Sequence, residues 1–287
     1  MPNAIPTYQL PALAPHGEKL GVYFVDQRTA GTVSPQLPYR GNYYKIGLCL
    51  RGRAELKANL ETYVIRPNSL MIITPHVIKE WGHASNDLDC LSVFFTREFI
   101  TANHTLDPAH FQFLEAVTTH VLPLSNAQTE SLAASFYFLR QKYHTPHPFR
   151  DTLVKNLISN LLYEVAVLYA QQHPTPQAPV LRSQMLVSSF RQLLHMHGPV
   201  QRSVTFYADQ LCITPKYLTE TLKALTGKTT GDWIEETVLL EAQVLLQNQQ
   251  LTVAQVAALL HFPDQSAFSR FFKKSSGLSP TAYKNAC

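Results

Sequence analysis

The sequence predicts an α+β chain of two domains: a β-barrel with two following α-helices, then an all-α domain built from two helix-turn-helix units joined by a linker helix. Three observations predict it. The first hundred residues fall into short strand-like runs, the spacing turns helical from about Pro108, and the last hundred residues repeat one helical unit twice. The length agrees, since 287 residues at roughly 150 per domain give two units that can each bury a core. Hydrophobic residues make up 45% of the chain and charged residues 15%, which excludes a disordered tail.

The predicted strands are Leu20–Asp26, Tyr43–Leu50, Ala54–Ala58, Leu70–Thr74 and Leu88–Phe95. Each is short, rich in β-branched and aromatic residues, and bounded by turn signals such as Arg51-Gly52-Arg53 and Arg66-Pro67-Asn68. Short strands at this spacing close into a barrel or sandwich. Tyr23, Tyr44, Leu48, Trp81 and Phe94 are candidates for its lining. Leu132, Phe136, Leu139 and Tyr143 then recur at helical spacing, as do Leu153, Leu157, Leu161, Val165 and Leu168, which gives helices over about Ala127–Tyr143 and Arg150–Tyr169. Three prolines in Gln171–Pro179 stop any helix. The expected organisation is therefore 1–170, a linker over 171–180, and 181–287.

Lys and Arg number 24 against 20 Asp and Glu, a net charge of +4. Beyond residue 179 the count is 10 against 7, so most of the small surplus belongs to the second domain, as a polyanion-binding domain would have it. The start of the chain lacks a basic cluster followed by an apolar run, and Leu157–Ala170 is interrupted by Ser159, Asn160 and Glu164. The expectation is a cytoplasmic protein with no membrane span. Cys49, Cys90, Cys212 and Cys287 are far apart, without a C-x-x-C pair, and read as reduced, mostly buried thiols.

The repeat carries the functional reading. An offset of 49 superposes Ser203 on Thr252, Val204 on Val253, Ala208 on Ala257, Leu211 on Leu260 and Ile213 on Phe262. An offset of 50 superposes Leu218 on Phe268, Leu222 on Phe272, Lys223 on Lys273, Gly227 on Gly277, Thr229 on Ser279 and Trp233 on Tyr283. Ser203 or Thr252 stands as the N-cap of a short helix, and Ile213 or Phe262 fills the elbow. Thr214-Pro215 or Asp264 opens the second helix, and Gly227 or Gly277 suits its left-handed stop. A helix, a tight turn and a capped second helix make a helix-turn-helix. The helical run Thr230–Leu246 spans roughly 24 Å, enough to hold two such units about one duplex turn apart.

With these residues in view, the sequence resembles the AraC/XylS family of bacterial transcription regulators over about Leu186–Lys284. The sharpest part is residues 262–284, FPDQSAFSRFFKKSSGLSPTAYK, where Ser266, Phe268, Ser269, Arg270, Phe272, Lys273, Gly277, Ser279, Pro280 and Tyr283 stand as in the family signature. Cys212 and His261 occupy turn positions where the family commonly has Gly. The strands and the two helices after them resemble the family's cupin-like sensing barrel and dimerisation helices. The resemblance implies double-stranded promoter or operator DNA as partner, a small-molecule effector in the barrel, and a homodimer. It presents Lys216, Thr219 and Glu220 from the first reading helix, and Gln265, Ser266 and Arg270 from the second, to base edges. Arg matches guanine, Gln adenine, and Glu the cytosine amino group.

Lys223, Lys273 and Lys274 are candidate phosphate contacts or plain solvated charges. Glu220 has an alternative as a surface partner of Lys216 or Lys223. Leu218, Leu222, Trp233, Phe268, Phe272 and Tyr283 are assigned to core. The competing class is a cupin-like enzyme. His76, Glu80 and His83 lack the His-x-His spacing such a centre requires, so no metal, cofactor or catalytic residue is expected, and the protein is read as a regulator and not an enzyme.

Overall fold

The computed structural model describes residues 5–10, 22–29, 37–75, 77–102, 106, 110–111, 114, 119–172, 182–198 and 200–286. The linker prolines from 173 onward, Leu20, His76, Pro108 and Cys287 lie outside the described residues. The chain divides into two compact units, Pro6–Gln177 and a second made of Ala178–Cys287 with Met1–Ile5.

In chain order the first unit carries β1 (Thr7–Tyr8), β2 (Tyr23–Thr29), β3 (Arg40–Gly41), β4 (Tyr44–Arg51), β5 (Ala54–Ala58), β6 (Glu61–Ile65), β7 (Ser69–Ile73), β8 (Lys79–Ala84), β9 (Asp89–Phe95), α1 (Arg97–Thr101), β10 (Val121–Pro123), α2 (Asn126–His144) and α3 (Arg150–Gln172). Five strands pair antiparallel in the order β10-β7-β4-β9-β2, three in the order β6-β5-β8, and β1 lies parallel to β3. β6 and β8 were not expected, because ETYVI and KEWGHA interleave charge with apolar residues.

Both faces of the large sheet are covered, so its central strand reads as an apolar run instead of an alternating one. On β4, Tyr44, Ile46 and Leu48 join Leu70, Ile72, Leu91, Val93 and Phe95 in a core shared with α2 and α3. The alternate residues face the small sheet, where Cys49, Met71, Ile73 and Cys90 pack with Ala54, Leu56 and Ile65. The two-residue period therefore corrects the expected lining: Tyr23, Tyr44 and Leu48 belong to the helix side, while Trp81 packs in the inter-sheet core and Phe94 packs with Leu10, Phe24 and Tyr43. Gly52 makes the β4–β5 turn at φ 78°, where a Cβ would meet the Leu88 backbone at 2.6 Å.

Ser125 caps α2 by accepting from the Gln128 amide, with Gln128 returning a bond to the Ser125 amide. Leu132, Phe136 and Leu139 of α2 are buried as expected. On α3 the buried stripe is Val154, Ile158, Leu161, Leu162, Val165 and Tyr169, one residue out of the expected phase at its start, and Leu153 faces outward. This stripe accounts for the apolar composition that makes α3 the one described helix long and apolar enough to cross a membrane. Cys49 and Cys90 are buried and form no disulfide. Cys212 is exposed, contrary to expectation, because it sits at a turn.

The second unit contains α4 (Arg182–His197), α5 (Val204–Gln210), α6 (Pro215–Thr226), α7 (Thr230–Gln247), α8 (Val253–Leu259), α9 (Gln265–Ser276) and α10 (Pro280–Ala286). It has two cores. Phe190 and Leu194 of α4, Tyr207 and Ala208 of α5, Leu218 and Leu222 of α6 and Ile234 of α7 form one. Ala242, Leu245 and Leu246 of α7, Val256 and Ala257 of α8, and Phe268 and Phe272 of α9 form the other. The two ends of α7 thus each enter a different core, and this helix, about 27 Å long, joins the two motifs.

Candidate nucleic-acid interface

Each motif is set by the same local chemistry. In the first, Thr214 Oγ1 accepts from the Tyr217 amide at 3.2 Å and Pro215 occupies the first helical position. In the second, Asp264 Oδ1 accepts from the Ala267 amide at 2.7 Å. The elbows match as well: the Ile213 amide donates to the Ala208 carbonyl at 3.0 Å, and the Phe262 amide to the Ala257 carbonyl at 2.9 Å. Gly227 and Gly277 end α6 and α9 at φ 76° and 79°. Cys212 and His261 adopt φ 54° and 55°, a left-handed conformation that costs a residue with a Cβ about 1 kcal/mol. Ser203 holds the N-cap position of α5 but its hydroxyl makes no capping bond, whereas Thr252 caps α8 with a reciprocal bond from Gln255.

Leu218, Leu222, Phe268 and Phe272 are fully buried, which turns the opposite faces of α6 and α9 outward. On α6 that face carries Lys216, Tyr217, Glu220 and Lys223; on α9 it carries Gln265, Ser266, Arg270 and Lys273. Lys216 Nζ lies 3.9 Å from Glu220 Oε1, both exposed, so the pair contributes little to stability. Two residues do not join these faces fully. Thr219 is half-buried and its hydroxyl lies 3.1 Å from that of Thr230 at the start of α7. Lys274 reaches Glu235 of α7 at 3.3 Å, and Ser275 donates to the same carboxylate at 3.1 Å. Tyr217 is exposed beside Lys216 where the second copy has Ala267. An aromatic residue at an outward helical position was the signal for it.

Arg202 was also missed, and no local pattern marks it. Its guanidinium lies 3.7 Å from the centroid of Phe262, the elbow residue of the second motif, and Nη2 donates to the carbonyl of Leu260, the C-cap of α8. Burial lowers its pKa. A residue directly before α5 thereby holds the turn of the other motif. At the outer edge of α7, Asp232 accepts from the Thr229 amide and hydroxyl at 2.8 and 2.7 Å. These bonds hold its carboxyl below the usual range.

Among the described residues no group of three or more His, Cys, Asp or Glu side chains could hold a metal.

A family model described as a helix-turn-helix domain matches residues 207–286, from within α5 to the end of α10. The arabinose operon regulatory protein of Salmonella typhimurium is 24% identical over 247 residues, covering 85% of this chain and 84% of that one. In these comparisons the chain is similar to regulators of the AraC/XylS type. The transcriptional activator RhaR of Pectobacterium carotovorum is 27% identical over 134 residues, 47% of each chain. A solved structure of ToxT from Vibrio cholerae aligns with TM-score 0.40 and 15% identity, covering 92% of this chain and 98% of that one. The helix-turn-helix match and these relatives support a DNA-binding transcription regulator.

Proposed function

We propose that α6 and α9 read two successive major-groove segments of an operator. Lys216, Tyr217 and Glu220 serve the first, Gln265, Ser266 and Arg270 the second. The observation that carries this is the pair of equivalent exposed faces, each opposite its own buried core, on two motifs joined by one shared helix. Arg270 suits the O6/N7 edge of guanine and Gln265 that of adenine, at about 1–3 kcal/mol of discrimination each. Thr219 sets the roll of α6 through Thr230, acting on base contact only indirectly. Lys223 and Lys273 neutralise phosphate, while Lys274 acts chiefly as a tie to Glu235. Glu220 would meet a cytosine amino group once Lys216 swings toward phosphate.

The first unit is the sensor and dimerisation part, its inter-sheet face taking a small-molecule effector. The arabinose-operon regulator, matched over both units of this chain, supports that reading. Exposed Tyr137, Phe138, Leu153 and Val167 on α2 and α3 supply an outward apolar face for a second copy. The protein works in the cytoplasm, on the DNA there, and is not an enzyme.

Footprinting with a selected operator tests the DNA reading: two protected segments about 10–10.5 base pairs apart on one face of the duplex are expected, and a single protected segment would reject it. Affinity should fall steeply with salt; a flat response across moderate salt counts against it. Thermal shifts against a metabolite panel test the sensor, and light scattering tests the dimer.

A further inference from the structure

The two motifs of the second unit share α7, and one side chain joins them a second time. Arg202 stands just before the N-cap of α5 in the first motif, and its guanidinium centre lies 3.7 Å from the ring centroid of Phe262 in the elbow of the second. Nη2 donates to the Leu260 carbonyl. Between these two points of contact lies His261, the left-handed residue of that elbow, so the guanidinium holds the turn on both sides of its bend. The carbonyl belongs to the C-cap of α8, where the helix dipole favours a cation.

Both ends of this tie lead to an outward-facing helix. On the first side, the Gln201 carbonyl accepts from Tyr207 Oη at 2.8 Å, and Tyr207 is buried with Leu218 and Leu222 of α6. On the second side, the Phe262 ring stands edge-on to Phe268 and tilted against Phe271, with centroids 5.2 Å apart in each case, and both partners are on α9. α6 and α9 are thereby connected through Tyr207, Arg202 and Phe262 as well as through α7. The repeat shows that the motif itself does not require this. Its offset of 49 places Leu251 at the position of Arg202, and Ile213 at that of Phe262. Leu251 is buried in the core of its own motif, so the second copy uses this position for local packing, whereas the first copy reaches across to its neighbour.

We propose that Arg202 is a positioning residue for operator spacing: it fixes α9 relative to α6, so that the chain accepts one separation of its two DNA segments. The inference rests on the reading of α6 and α9 as the two DNA-reading helices, and goes beyond it by assigning spacing selectivity to a residue on neither reading face. When two reading elements share one chain, the second contact is intramolecular, and its effective concentration is greatest where the held separation matches the sites. Loosening the tie therefore weakens binding to a matched operator and spares a mismatched one.

The test uses the full chain and three duplexes: the selected operator, the same operator with one base pair inserted between its segments, and the operator with its second segment scrambled. The insertion moves the second segment by about 3.4 Å and turns it by roughly 34–36°. The parent is expected to bind the inserted duplex about thirtyfold more weakly than the operator. Arg202→Met should bind the operator about tenfold more weakly than the parent does, and the other two duplexes as the parent does, so that its loss on insertion is only about threefold. Arg202→Lys keeps the charge and should follow Arg202→Met, because an ammonium lacks the planar fork that stacks and donates at once. Phe262→Leu keeps the elbow filled, removes the tie from its other end and should show the same reduced loss; it decides the matter where Arg202→Met fails to show a folded circular dichroism spectrum. Folded variants that keep the parental loss on insertion overturn the proposal and leave the two-helix reading intact. A loss equal on all three duplexes, restored by Arg202→Lys, makes Arg202 a phosphate contact and also overturns it. A parent that binds the operator and the scrambled duplex equally overturns the two-helix reading, and the proposal with it.

Discussion

Replacing His261 by glycine should stabilise the second unit. His261 is exposed and holds φ 55° in the elbow of the second motif, so the substitution costs no packing. The left-handed conformation penalises a residue with a Cβ by about 1–2 kcal/mol, and glycine returns about 0.4–1 kcal/mol of that through its freer unfolded chain. The net gain is about 0.5–1 kcal/mol. For a unit of this size a kcal/mol moves the midpoint by about 4–8 °C, so a rise of about 2–8 °C is expected in a calorimetric scan of the full chain. Gly277→Ala supplies the opposite control: φ is 79° and nothing lies within 4 Å of an added Cβ. Its loss of about 1 kcal/mol is therefore pure backbone, and it identifies which transition belongs to this unit. A control that falls while His261→Gly stays level or falls with it would refute the argument that the turn carries strain.

Arg202→Met keeps the stem but removes both the contact with Phe262 and the bond to the Leu260 carbonyl. It should cost about 1–3 kcal/mol in urea unfolding of the second unit, with Arg202→Lys recovering less than half because an ammonium lacks the planar fork; a neutral Met variant would show that the two motifs do not need this tie. His120 is buried, and burial holds its pKa below the ordinary 6.5. The folded state then binds fewer protons than the unfolded one, so this contribution is complete above about pH 6.5 and is lost as pH falls below it. Urea midpoints of the first unit should drop between pH 7.5 and 5.5 in the parent and drop less in His120→Gln; equal drops would refute the assignment.

The second unit was legible because its signals are local. Capping residues, a left-handed glycine and a 3.6-residue period each act within one turn of helix, and the two copies state them twice. Thr219 was not legible as a residue turned toward α7, because its partner Thr230 is fixed by the path of the linker helix. Lys274 likewise read as a free cation until Glu235 stood beside it. In the first unit the strands with continuous apolar runs were readable, but β6 and β8 were not, since one face of each carries charge. The side to which Tyr23, Tyr44 and Leu48 turn depends on a two-residue parity that a short apolar run leaves open.

The central claim is that two motifs held by α7 read DNA together. It is tested most directly by the affinity of Arg270→Ala for a selected operator and for variants of it changed in one segment. The account predicts a loss of about 1–3 kcal/mol on the parent operator and relaxed preference at one base pair, with preferences in the other segment unchanged. Unchanged affinity and preference, or a loss spread uniformly over all sequences, would contradict it.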